Sequence, residues 1–158
     1  MFYCNDRRKI KNGDLLSWRG TSIWAKLISW WTGSPYTHVA LAFWVGPRLM
    51  ILESFPLKGV RMRPLSHCLP AFWQSAGRGW TQEAEDFALE LLDRPYSIPD
   101  CIRVAFRMKP NGKGYQCAEY AALVLDRLSM QGLLSDPTPA NVVQTLRRYG
   151  GDPELLEA

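Results

Sequence analysis

After Asp14 and as far as Trp80 the chain has a single carboxylate, Glu53, and in its whole length it has only two histidines, His38 and His67. Cysteine is scarce too: Cys4, Cys68, Cys101 and Cys117 show no CxxC spacing, which argues against a disulfide framework or a zinc ribbon. A zinc site would have to be assembled from these scattered cysteines with His38 and His67, and His67 adjoins Cys68, which makes the two hard to use together. Neither a metal nor a cofactor is expected. Long apolar runs are also missing. The longest stretch free of Asp, Glu, Lys and Arg, Leu27 to Pro47, is broken by Gly33-Ser34-Pro35, whereas a spanning helix needs about 20 consecutive apolar residues. The opening "MFYCNDRRKIKNGD" puts its basic residues after a short apolar piece, unlike a secretory signal, so the chain is expected to be cytoplasmic at synthesis.

What is there fits one domain of 158 residues, 47% hydrophobic and 22% charged, with no repeat or low-complexity tract. A chain of this length buries roughly 70% of its unfolded surface and needs no staple to fold. The net charge of +4 is concentrated near the start in Arg7, Arg8, Lys9 and Lys11, which reads as a solvated basic arm over residues 1–12. Residues 13–151 form the domain, and 152–158 a tail expected to fray. No nucleic-acid motif accompanies the basic charge. The oligomeric state is left open.

Periodicity gives strands among helices, then mostly helices, an α+β order. "NGDLLSW" predicts a turn and a short strand. Ile23, Trp24, Leu27, Ile28 and Trp31 recur at helical spacing after Thr21-Ser22, an amphipathic face read as packed on the core, with a weak lipid-surface or ligand contact as the alternative. "YTHVALAFWV" and "RLMILESF" flank Gly46-Pro47 as a hairpin. A loop of two or four residues sets His38 across from Phe55 and Ala40 across from Glu53. His38 and Glu53 then share a face as diagonal neighbours, about 7–8 Å apart, whereas a three-residue loop would put them on opposite faces. "KGVRMRPL" predicts a third strand with Arg61 and Arg63 on its exposed side. Ser66 to Trp80 reads as loop with one strand at most. Thr81 caps a helix with Ala84, Phe87, Ala88, Leu91 and Leu92 inward; Pro99 starts another through Met108; a third begins at Cys117 and runs to Gly132; Thr138-Pro139 opens the last, ending at Gly150-Gly151.

Cys117 stands in "GYQCAEYAALVL", at the mouth of a helix. It is either a small core residue or a nucleophile. A helix N-terminus stabilises a thiolate through unpaired N–H groups and the positive end of the dipole, and such placements bring a thiol from about 8.5 into roughly the 3.5–7.5 range. A nucleophilic thiol needs a base and a group that orients the base. His38 is the better placed imidazole and His67, in the unassigned loop, the weaker. A lone carboxylate in "MILESF" is costly unless paired, so Glu53 asks for a partner.

"GDLL", "THVAL", "ILESFPLKGVRMRPL", "LLDRPYS" and "YQCAEY", in that order, resemble the NlpC-type cysteine hydrolases of the papain-like superfamily. The order matches their circularly permuted YiiX/YebB-like branch, in which the histidine and acidic strands precede the cysteine helix. The resemblance implies a permuted papain-like fold, a small mainly antiparallel sheet against the cysteine helix. It implies a Cys-His-Glu triad with Cys117 as nucleophile, His38 as general base and Glu53 orienting it. Tyr96 matches the family's tyrosine near the catalytic centre. Ala118 stands where related chains often have serine. The implied activity is a peptidase or amidase that cleaves an amide or ester through a thioester, with cell-wall murein peptides as the substrate class, reached by lysis or a specialised route. Two alternatives remain: a thiol acyltransferase or lipid-directed esterase on the same scaffold, and a non-catalytic binding module for an anionic partner.

Overall fold

The two apolar runs around Gly46-Pro47 fold as the expected hairpin in a computed structural model that describes residues 1–21, 25–26, 29–30, 33–97 and 114–158. Strand β2 (His38–Val45) and strand β3 (Arg48–Phe55) pair antiparallel with Val45 opposite Arg48 and Leu41 opposite Leu52. The loop is thus the two residues Gly46 and Pro47, and Gly46 takes a positive φ of 55°, which costs little without a Cβ. Continued to the open end of the hairpin, this register sets Ala40 opposite Glu53 and His38 opposite Phe55. Alternation divides the side chains between two cores. Val39, Leu41, Phe43 and Leu52 join the core shared with the helices, and Ala40, Ala42 and Ile51 join a smaller one on the other side of the sheet.

Strand β1 (Leu15–Trp18) pairs with β2 through Trp18 opposite His38, and β4 (Gly59–Pro64) pairs with β3 through Arg61 opposite Glu53. Beyond β1 lie β5 (Ala71–Gln74) and β6 (Glu154–Leu156), giving the order β4-β3-β2-β1-β5-β6 with every neighbouring pair antiparallel. Strand β5 is the one strand allowed for in the segment Ser66–Trp80.

Both chain ends differ from the reading as a free arm and a fraying tail. Leu156 is fully buried in β6, and Ile10 is 1% exposed. The Met1 amine donates to the Leu155 carbonyl, and the Tyr3 and Glu157 amides bond to the Glu157 and Met1 carbonyls. Apolar anchors at 10 and 156 outweigh the charge of the arm. The first helix, α1 (Tyr3–Asp6), and the 3-10 turn Arg7–Lys9 leave Arg8 and Lys9 exposed.

Helix α2 (Gln82–Glu90) starts where expected: the Thr81 hydroxyl accepts from the Ala84 amide at 3.2 Å, and Ala84 and Ala88 are buried. Helix α3 (Cys117–Asp126) is the central one, with Ala118, Tyr120, Ala121, Ala122, Val124 and Leu125 all buried. It ends at Asp126, six residues before Gly132. Ser129 at φ 60° turns the chain first, and Gly132 at φ 89° serves a later turn. Helix α4 (Pro139–Gly150) has the predicted limits, with the Thr138 hydroxyl accepting from the Asn141 amide. The helix expected from Pro99 to Met108, with Cys101, lies outside the described residues, as do Ile23, Trp24, Leu27, Ile28 and Trp31; Ala25, Lys26, Ser29 and Trp30 are helical. Among the described residues no helix is long and apolar enough to cross a membrane.

Replacing Leu156 by alanine is expected to lower stability by about 2–5 kcal/mol, because its side chain is fully enclosed. The same change at Leu155, 42% exposed, should cost less than about 1 kcal/mol. Urea unfolding midpoints distinguish the two; equal, negligible effects would mean that the tail is not packed.

Candidate functional site

The local sequence around Cys117 builds a capped helix start. Gln116 is extended and takes the N-cap position, its side chain accepting from the backbone of Glu119 while the Glu119 carboxylate reaches back to the Gln116 amide at 3.4 Å. This reciprocal cap holds the first turn in place. It also gives Glu119 a structural role at the helix start. Cys117 is the first helical residue and only 8% exposed. Of its neighbours, the His38 ring influences the thiol most, and then the backbone N–H groups of Val39 and Ala118.

His38 opens β2, at the end of the sheet that the N-terminus of α3 reaches. Its Nε2 lies 2.6 Å from Glu53 Oε2. With that nitrogen committed to Glu53, Nδ1 is left to serve the thiol. The imidazole is bracketed by Trp18, tilted at a centroid distance of 5.5 Å, and by Phe55, edge-on at 5.7 Å. Its freedom to swing away is small.

Glu53 has a side chain only 3% exposed. While Oε2 meets His38, Oε1 accepts from Arg61 Nε at 2.9 Å and lies 2.8 Å from an Arg61 terminal nitrogen, with Arg63 further off at 3.7 Å. The expectation that Arg61 and Arg63 occupy an exposed side is therefore corrected: both are half-buried, beside Glu53. The turn explains it. Three residues, Pro56 to Lys58, separate the Phe55–Gly59 pair, so Arg61 falls directly opposite Glu53 and on its face. That turn length was the signal a sequence reading needed for Arg61.

The electrostatics follow from these contacts. Burial pushes the Cys117 thiol up, but the charge and hydrogen bond of His38, and then the Val39 and Ala118 amides, bring it below its ordinary value. Burial alone would lower His38; the Cys117 thiolate and the Glu53 carboxylate outweigh it and raise the imidazole to about 9. Glu53 is likewise pushed up by burial and held down on balance by His38 and then Arg61. The group can thus hold a thiolate–imidazolium pair with a carboxylate behind it, a reactive nucleophile beside a proton donor.

The structure brings Cys117, His38 and Glu53 into contact. Tyr96 stands on the adjoining segment, half-buried, where the Val60 amide bonds the Arg94 carbonyl and the Tyr115 amide bonds the Pro95 carbonyl. Close approach on both sides needs glycine. A Cβ at Gly59 would lie 2.2 Å from the Arg94 oxygen, and one at Gly114 would lie 2.5 Å from that of Pro95. His67 is exposed on the 3-10 turn Leu65–His67, and the imidazole at the thiol is that of His38. Among the described residues no group of three His, Cys, Asp or Glu side chains is placed to hold a metal ion.

This is an α+β protein with an antiparallel six-stranded sheet and a Cys–His–Glu cluster where a helix start meets the end of a strand. No protein-family model matches the sequence, and no curated protein matches it. Among solved structures the chain is similar to the crystal structure of the metalloprotein YiiX from Escherichia coli O157:H7, with a TM-score of 0.61 and 15% identity over 94% of this chain and 89% of that one. At such identity the shared property is the fold, which is YiiX-like.

Iodoacetamide is expected to alkylate Cys117 ahead of Cys4 and Cys68, with a rate already high at neutral pH. The thiolate of Cys117 is favoured below the ordinary range, whereas burial raises Cys68. His38→Ala removes the cation and should shift the alkylation profile of Cys117 to higher pH, and Glu53→Gln should shift it less. A Cys117 profile centred near about 8.5 and indifferent to His38→Ala would leave the thiol as a core residue.

Proposed function

We propose that the protein is a cysteine hydrolase of the permuted papain-like kind, acting on amides or esters through a thioester. The observation that carries this reading is the buried Cys117 thiol at a helix N-terminus, brought below its ordinary value by the charge of an imidazole whose Nε2 is held by a buried carboxylate. In the proposed reaction the Cys117 thiolate attacks the substrate carbonyl, forming a carbon–sulfur bond. The oxyanion is stabilised by N–H groups at the helix start. Collapse expels the amine or alcohol, which takes its proton from His38. Neutral His38 then removes a proton from water as it attacks the thioester, and the thiolate leaves with the acid product. Glu53 holds the imidazole in the tautomer and orientation that both steps require. Tyr96, on the segment beside the helix start, is proposed to hold substrate or assist the oxyanion.

The YiiX structure is described as that of a metalloprotein. The donors at this site do not fit a metal ion: with Nε2 of His38 engaged by Glu53 and Glu53 Oε1 by Arg61, His38 Nδ1 and the Cys117 thiol are left, fewer than the three protein ligands of even an open metal site. No step is routed through one. Peptide amides of the murein type are the substrate class proposed from the sequence resemblance. A second reading, acyl transfer or hydrolysis of a lipid ester, is favoured by the exposed Phe55 and Leu57, 38% and 85%, at the strand end beside His38.

Incubation with murein peptides and, separately, with lipid esters should leave an acyl mass adduct on Cys117 with one of the two classes. Cys117→Ala should abolish the adduct and lower turnover by at least about 10³-fold, and Glu53→Gln should lower it by about 10²- to 10⁴-fold. Full turnover by Cys117→Ala would refute the thiol mechanism.

A further inference from the structure

Glu53 has a difficulty that the triad alone does not resolve. Its side chain is 3% exposed, and a buried carboxylate without a counter-charge takes up a proton. His38 supplies that counter-charge only while protonated. In the hydrolase cycle the imidazole gives its proton to the leaving group, and for that interval it is neutral. A carboxylate that then protonated would no longer accept from the imidazole, and the base would lose its orientation.

We infer that Arg61 is a positioning residue that keeps Glu53 ionised, with one oxygen turned to His38, through both protonation states of the imidazole. The inference rests on the hydrolase reading, which is what makes His38 alternate. Arginine is always charged, so its contribution does not vary over the cycle. Two guanidinium nitrogens converge on the same oxygen, Nε at 2.9 Å and a terminal nitrogen at 2.8 Å, leaving Oε2 to Nε2 of His38 at 2.6 Å. The guanidinium is in turn fixed by the Phe55 ring at 4.4 Å, and the same ring lies edge-on to His38. One aromatic side chain therefore braces both partners of the carboxylate. Arg63 does not duplicate this, since it approaches Glu53 only to 3.7 Å and donates instead to the His67 carbonyl at 3.3 Å.

The charged and titratable groups around the pair are Cys117 from α3, Glu53 from β3, and Arg61 and Arg63 from β4, with Cys68 just after β4 interacting with Glu53 and Arg63. Trp18 contributes only its ring. Removing Arg61 takes a fixed cation from behind Glu53, so the Glu53–His38 pair should hold its shared proton more tightly, whichever of the two atoms carries it.

With only two histidines in the chain, imidazole NMR reads His38 directly once His67→Gln has assigned the other. The wild-type protein should titrate at about 9. Arg61→Met should move that value upward by roughly one unit. Arg61→Lys, which keeps the charge but loses the paired donors, should move it in the same direction by less, and it provides the test if the methionine variant does not fold. In a Glu53→Gln background Arg61→Lys should no longer move His38. An unmoved His38 in Arg61→Met or Arg61→Lys, or an equal shift with and without Glu53, would overturn the inference. The titration needs no substrate, so it is independent of acyl capture: an adduct on Cys117 with an unmoved His38 refutes the role of Arg61 alone, and a shifted His38 with no adduct refutes the hydrolase reading and leaves only the electrostatic link of Arg61 to the Glu53–His38 pair.

Discussion

A negative charge buried in a β-strand is the constraint around which this site is organised. Glu53 interrupts the run Met50-Ile51-Leu52 on β3 with its side chain almost fully enclosed. Leaving such a group unpaired costs several kcal/mol, and it has partners on both sides: His38 across one strand boundary and Arg61 across the other. A shift of either neighbouring strand by one residue would turn its partner to the opposite face. The pairing register of β2, β3 and β4 and the charge balance of the site are therefore the same fact seen at two scales.

The thiol reaches this arrangement through packing rather than charge. Helix α3 is buried on nearly every face, against the sheet and against α2 and α4, with the Tyr120 hydroxyl donating to the Ala88 carbonyl inside the core. A helix so enclosed has little room to slide, and its capped first turn carries Cys117 to the end of β2. The Val39 amide, next to His38 in the chain, meets the same sulfur. A rigid element thus presents the thiol, and a strand end presents the imidazole. Positioning of this kind is what the proposed hydrolase chemistry requires.

Local chemistry made much of this legible. The hairpin at Gly46-Pro47 follows from the residues around it, while its loop length, two residues in the structure, decides that His38 and Glu53 share a face; Thr81 and Thr138 mark helix starts because their hydroxyls cap them. Long-range effects were harder. Residues 152–158 read as a free tail because their one fully buried anchor, Leu156, finds β5 about eighty positions earlier in the chain. Gly132 reads as the end of α3 because glycine is the usual residue at positive φ, yet Ser129 adopts it first. Arg61 reads as solvent-facing because a charged residue alternating along a strand normally faces water, and only the length of the β3–β4 turn sets it over a buried carboxylate.

The central claim is that Cys117 and His38 form an ion pair in the resting protein. Ultraviolet titration of the thiolate, taken as the difference between the wild-type protein and Cys117→Ser, measures it without a reagent, a substrate or a question of access. The account predicts the absorbance of one thiolate at neutral pH, appearing below the ordinary thiol range of about 8.5. A difference spectrum that is empty at neutral pH and grows only through that range would contradict it.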